Sequence, residues 1–168
     1  MQDTLDFHYQ MTKGRLAETI IEEMFVDHEY EVHRFGMENM VPGIVRTLRR
    51  NASPVSIHIK QMPDFVIKKD DNIHFVEVKF SSRGEFNYAK LLMDNKTYPY
   101  DNCLLIVVSP DAMKALSLKE LSDGISISPK CNNHLIGRPE FKLNPALVAE
   151  YQKMVKIFFA GAPSRWMA

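Results

Sequence analysis

PDFVIKKDDNIHFVEVKF, residues 63–80, consists of two runs of alternating apolar residues separated by Asp70, Asp71 and Asn72. Short alternating runs on either side of turn-forming residues predict an antiparallel hairpin. Pairing it about the turn sets residue 69 against 72, 66 against 75 and 64 against 77. Asp64 and Glu77 then stand directly opposite, with Cβ atoms about 4.5–5.5 Å apart. Lys79 lies two residues beyond Glu77 and shares its face, whereas His74, Val76 and Val78 point to the other. Charges inside a largely apolar hairpin are costly unless something pairs with them. Two opposed carboxylates repel at neutral pH, so either one is protonated or a cation lies between them. Hard oxygen donors with open positions suit magnesium or manganese, which bind one or two carboxylates together with waters and substrate phosphate oxygens. A lysine beside them can orient or deprotonate a water, or hold a phosphate. Together these are the parts for metal-assisted hydrolysis of a phosphodiester.

Working outward, Leu16, Ala17, Ile20, Ile21, Met24 and Phe25 recur at helical spacing and predict an amphipathic helix over 12–27 with Thr12 as N-cap. Residues 30–36 read as a strand. Residues 37–54, with Pro42, Gly43 and the basic stretch RTLRR, read as a connection holding a short helix. Residues 55–69 alternate like a strand interrupted at Pro63. Beyond the hairpin the pattern predicts a helix over 84–96 and a strand at NCLLIVVS, whose unbroken apolar run suits burial on both faces. Residues 110–123 read as short helical turns and ISIS (125–128) as an edge strand. The last helix has Asn144 as cap, Pro145 in its first turn and Gly161 as stop. The expected fold is α/β: a helix, a three-stranded antiparallel meander, a helix and a further strand, in a mixed central sheet flanked by helices. A single domain spans 1–168, with its core at about 12–109 and a helical C-terminal elaboration over 110–168.

Pro63-Asp64 followed by Glu77-Val78-Lys79 resembles the signature of the PD-(D/E)XK nuclease superfamily. The resemblance implies a restriction-endonuclease-like fold in which Asp64, Glu77 and the Val78 backbone carbonyl bind magnesium and Lys79 serves the attacking water. Many members also carry a glutamate on the first helix. KGRLAETI supplies Glu18, in a context similar to small Holliday-junction-resolvase-like nucleases. On a helical wheel Glu18 lies about 20° from Phe25, at the border of the apolar stripe; Glu22 and Glu23 lie farther round, on the side expected to face solvent. The resemblance implies cleavage leaving 5′-phosphate and 3′-hydroxyl ends, with DNA the commoner substrate. A second match, Pro110-Asp111 with Glu140-Phe141-Lys142, lacks a hairpin because Gly137 and Pro139 interrupt it. It is read as chance, and Asp94-Asn95-Lys96 as a mimic near a helix end.

Arg46, Arg49 and Arg50, with Lys13 and Arg15 near the first helix, are candidate contacts to a phosphate backbone, and Lys90 and Lys96 are further ones. The six histidines show no metal-ligand spacing. Phosphate loops, dinucleotide fingerprints, HExxH and paired CxxC motifs are missing, which argues against kinases, dehydrogenases, zinc proteases and zinc fingers. Lysine plus arginine equals aspartate plus glutamate at 21 each, so no global field draws a polyanion, and a homodimer or protein partner is expected to complete a nucleic-acid surface. Two cysteines, one of them inside an apolar run, suggest a reduced intracellular protein. The polar start is unlike a signal peptide and no run is long enough to span a bilayer, so a cytoplasmic location is expected. The rivals to a DNA nuclease are an RNA endonuclease and a nuclease-fold module that recruits a partner without cleaving.

Overall fold

Helix α1 (Gln2–Asp27) carries the core-facing stripe that the sequence predicts, with Ala17, Ile20, Ile21, Met24 and Phe25 buried. It begins well before Thr12, which is no cap; its hydroxyl donates to the His8 carbonyl at 2.8 Å. The early turns bury little, leaving Leu5, Phe7 and Met11 exposed, and so carry no amphipathic signal. The helix ends in a Schellman arrangement. Glu29 takes left-handed backbone (φ 63°), its N–H donates to the Val26 carbonyl at 2.8 Å, and the Tyr30 N–H donates to that of Phe25 at 3.0 Å. The Phe25 and Tyr30 rings meet edge to face at 5.1 Å and supply the accompanying apolar contact. This computed structural model describes residues 2–36, 48, 53–92 and 98–160, with residues 2–4 and 160 as backbone alone.

Five strands follow one another in spatial order β1-β2-β3-β4-β5. Strands β1 (Glu31–Arg34), β2 (Phe65–Lys69) and β3 (Asn72–Phe80) form the antiparallel meander. The β2–β3 hairpin has the predicted register from Lys69 facing Asn72 to Phe65 facing Val76, where the ladder ends, so the expected Asp64–Glu77 pair is not part of it. Asp70 takes left-handed backbone (φ 54°) in its two-residue turn, a conformation that aspartate tolerates better than most side chains. Strand β4 (Cys103–Val108) runs parallel to β3 and is buried throughout, as its apolar run predicts. Strand β5 (Met113–Ser117) pairs antiparallel with β4 and makes the far edge. The protein is thus α/β with a mixed five-stranded sheet flanked by helices.

Three expectations are corrected. Residues 55–60 alternate in hydrophobicity, yet Pro54–Lys60 is a helix, α2. Pro54 at its start and the Ser53 hydroxyl, which accepts from the Ser56 N–H at 3.3 Å, impose the helical turn. Residues 113–117 are a sheet strand rather than helical turns, so the C-terminal third is not a helical appendage. Helix α4 (Leu118–Ser122) begins immediately after it, through a capping box of Ser117 and Glu120. ISIS contributes only an isolated bridge, Ile127 to Phe86. The helix predicted over 84–96 is described as α3, Tyr88–Leu92; residues 93–97, like Gly161, lie outside the described residues.

Two apolar layers enclose the sheet. On one face α1 and α5 (Pro145–Ala160) pack on Phe65, Ile67, Val76, Val78, Leu104 and Ile106. The other face joins Leu105, Val107 and Leu116 to Phe86, Leu91, Tyr98 and Leu121. Asn144 caps α5 as predicted, its Oδ1 accepting the Ala146 N–H at 2.9 Å. The apolar stripe of α5 is broader than its buried face: Tyr151, Val155 and Phe159 are buried, while Met154 and Phe158 are exposed. Among the described residues no helix is long and apolar enough to cross a membrane.

Candidate functional site

The sheet forks beside Phe65. Past the Phe65–Val76 pair, β3 continues to Phe80 alongside β4, while the chain preceding Phe65 turns away. Asp64 stands at the branch. Its backbone carbonyl accepts N–H groups from Phe35 (2.8 Å) and Gly36 (3.3 Å), and its side chain turns the opposite way to accept the Val78 N–H at 2.7 Å. The carboxylate thereby satisfies a donor that loses its partner strand, a vacancy that would otherwise be costly so near the core. The N–H and C=O of one strand residue project to the same edge, so the Val78 carbonyl opens on the same gap.

Glu77 is buried at 6% exposure, on the sheet face opposite Val76 and Val78. Its carboxylate forms an ion pair with Lys79 and accepts a long hydrogen bond from the Tyr98 hydroxyl, 3.4 Å. Glu18 reaches the same region from α1, with the Arg34 guanidinium 3.9 Å away. Asp64, Glu77, Lys79 and Glu18 all line one cleft of about 460 Å³. His74 points away, edge-on to Phe141 in the core.

The electrostatics follow from this crowding. Burial, then the Glu77 charge and, more weakly, Glu18 push the Asp64 carboxyl well above the usual carboxylate range, against the pull of Lys79 and the Val78 N–H. For Lys79, burial works against the ammonium, but the Glu77 and Asp64 carboxylates outweigh it and its pKa is raised. Burial and Glu77 also push up the Tyr98 phenol and the Cys103 thiol, so both stay protonated near neutral pH. The cluster places mutually repelling acids together, with Lys79 and, beside Glu18, Arg34 against them.

Of the residues expected to contact phosphates, Arg15 lines the cleft and is exposed. Lys13 is corrected: it is buried, its ammonium 4.2 Å over the Tyr9 ring centroid and 5.3 Å from that of Phe80. Lys90 is exposed on α3, donates to the Glu85 carbonyl at 3.4 Å and does not line the cleft. Arg46, Arg49, Arg50 and Lys96 lie outside the described residues. Glu22 is not simply solvated, because Arg34 bridges to it through Nε (3.2 Å) and Nη2. In the chance match, Glu140 pairs with Arg138 and Lys142 with Asp70.

Sequence reasoning missed Arg34, Lys60 and Tyr98. Arg34 pairs with Phe65 across the sheet and so flanks Asp64, a neighbour readable only once the β1–β2 register is known. Lys60 reaches the cleft because α2 is a helix. Tyr98 comes from the loop before β4, with no local signal. Among the described residues no group of three or more His, Cys, Asp or Glu side chains is spaced to hold a metal ion. Two carboxylates and a carbonyl are nevertheless hard oxygen donors of the kind that suffices for magnesium, which keeps several waters. Comparison with protein-family models, with curated proteins and with solved structures finds no match.

Proposed function

We propose that this protein is a magnesium- or manganese-dependent nuclease with a restriction-endonuclease-like core, hydrolysing phosphodiester bonds of nucleic acid and most readily those of DNA. The observation that carries this reading is the meeting of Asp64, Glu77 and Lys79 in an open cleft at the sheet fork. Supporting it, α1, the antiparallel meander, α3 and a strand parallel to β3 come in the order that the resemblance implies.

In this proposal Asp64, Glu77 and the Val78 carbonyl hold the cation, and Glu18 completes its surroundings from α1. The bound ion would act as a Lewis acid on the phosphate and lower the pKa of a water. Lys79 is held as an ammonium by its acidic neighbours, so it orients water or a phosphate oxygen by donation rather than by removing a proton. Arg34 keeps Glu22 in place through Nε and Nη2 and Glu18 through Nη1, at the side of the cleft. A homodimer or protein partner would extend the binding surface of this charge-neutral chain, and a cytoplasmic setting suits the reaction.

Asp64→Ala or Glu77→Ala should lower cleavage of supercoiled plasmid, a four-way junction or single-stranded RNA by at least about 10³-fold, with the circular-dichroism spectrum unchanged. Lys79→Ala should lose turnover while manganese still binds calorimetrically. Equal activity in all three variants and wild type would refute the assignment. The second reading, a binding or assembly module, is favoured by the Glu77–Lys79 ion pair, which neutralises one acid without a cation. That reading predicts neither cleavage nor heat on manganese titration.

A further inference from the structure

The cleft has two unlike walls. One carries the basic residues Arg34 of β1 and Lys60 of α2; the other is α1, which presents Phe7 and Met11 from its early turns and Arg15 one turn beyond Met11. Phe7 is 58% exposed and Met11 41%, so burial does not account for an apolar residue at either place. Gly14, one turn farther along, also lines the cleft, and a Cβ added there would meet nothing within 4 Å. Glycine inside a helix is unfavourable relative to alanine, and here no packing contact calls for it. Its effect is to keep the cleft floor clear between the apolar pair and Glu18. An aromatic ring, a thioether and a bare backbone therefore lie along one side of a phosphate-compatible channel leading to the acids.

We propose that the cleft takes an unpaired strand of nucleic acid, one base stacking on Phe7 and Met11 while the flanking phosphates lie along Arg15, Arg34 and Lys60. In a duplex the base faces are covered by their neighbours, so a solvent-facing aromatic ring gains contact only from a strand whose bases are splayed. Charge points the same way. With 21 basic and 21 acidic residues the chain has no broad positive field for the dense phosphate array of a duplex, whereas three cations beside a stacking surface suit a single strand. Arg34 uses Nε and Nη2 on Glu22 and sets Nη1 3.9 Å from Glu18, so a phosphate oxygen at the cleft would share its guanidinium with these acids. This inference rests on the nuclease reading in naming the substrate of that site, but the binding it describes does not require cleavage.

The test uses fluorescein-labelled twelve-nucleotide single-stranded DNA, the same sequence as RNA, and its blunt DNA duplex. Binding is measured by fluorescence anisotropy in magnesium with the Lys79→Ala protein, so that the probe is not consumed. Both single strands, or one of them, should bind at least about tenfold tighter than the duplex. Adding Phe7→Ala should weaken single-strand binding about tenfold and leave duplex binding unchanged, with Phe7→Trp restoring it. Gly14→Met, which fills the floor, should weaken the same probe. Equal affinity for duplex and single strand, or single-strand affinity indifferent to Phe7→Ala and Gly14→Met, would overturn the proposal. Cleavage of the three probes by wild type in manganese separates the two readings. Stacking-dependent binding without cleavage sinks the nuclease while the strand site stands, and preferential duplex cleavage that is indifferent to Phe7 sinks the strand site while the nuclease stands.

Discussion

Asp64 illustrates how one side chain serves both fold and candidate chemistry. It caps the Val78 N–H where the sheet splits, and it lies within reach of the Glu77 charge. Its folded pKa lies above that of an unfolded aspartate, about 3.9, so the native state binds its proton more tightly and stability falls as pH rises from that value through the folded pKa. Lys79 adds no slope in that range; its pKa is raised too, so its stabilisation is complete below about 10.4 and is lost only at higher pH. Asp64→Asn keeps an acceptor for Val78 and removes the repulsion. In metal-free protein it should raise Tm at pH 8 by about 2–4 °C, the effect of about 1 kcal/mol, and make no difference near pH 3. Differential scanning fluorimetry across pH checks this, and a gain of equal size at both pH values would contradict it. Gly14→Ala is a second residue-level case. With open space around its Cβ it should stabilise the helix by about 0.5–1 kcal/mol, read from urea unfolding.

At the scale of elements, the β2–β3 hairpin was legible because its alternation, its turn residues and its register all agree. Helix α2 was not, since Val55, Ile57 and Ile59 alternate as a strand would, while Ser53 and Pro54 start a helix that buries only Ser56. Strand β5 was hidden for a different reason. It carries Lys114, buried at 4% exposure, whose ammonium donates to the carbonyls of Ser128 (2.6 Å), Pro129 (2.9 Å) and Cys131 (2.8 Å). A lysine in the middle of a short segment reads as surface, and only the fold brings three acceptors to it. Lys114→Met should cost about 2 kcal/mol, with hydrogen exchange rising first in residues 124–134, which the lysine ties to the sheet. Unchanged protection there would show that the loop is held by other contacts.

For the whole molecule, the decisive fact is that the C-terminal third completes the fold. Strand β5 closes one edge, and Tyr151, Val155 and Phe159 of α5 share a core with α1, β2 and β3. The Tyr151 hydroxyl also donates to Asp27 on α1 at 2.6 Å. A chain truncated after Ser109 should therefore lose cooperative thermal unfolding and expose apolar surface, measurable by calorimetry and dye binding. A stable, cooperatively folded truncation would contradict this.

The sequence by itself determined what is local: the hairpin and its register, the core stripe of α1, the buried run of β4, the cap of α5, and the shared face of Glu77 and Lys79. Each depends on periodicity or capping within a few residues, where steric and hydrogen-bonding rules act without help from the rest of the chain. Only the tertiary structure decided that Arg34, Lys60 and Tyr98 converge on the fork, that Lys13 turns inward, and that Phe7 and Met11 face the cleft. Those placements depend on which distant surfaces meet, and packing, not local preference, chooses that.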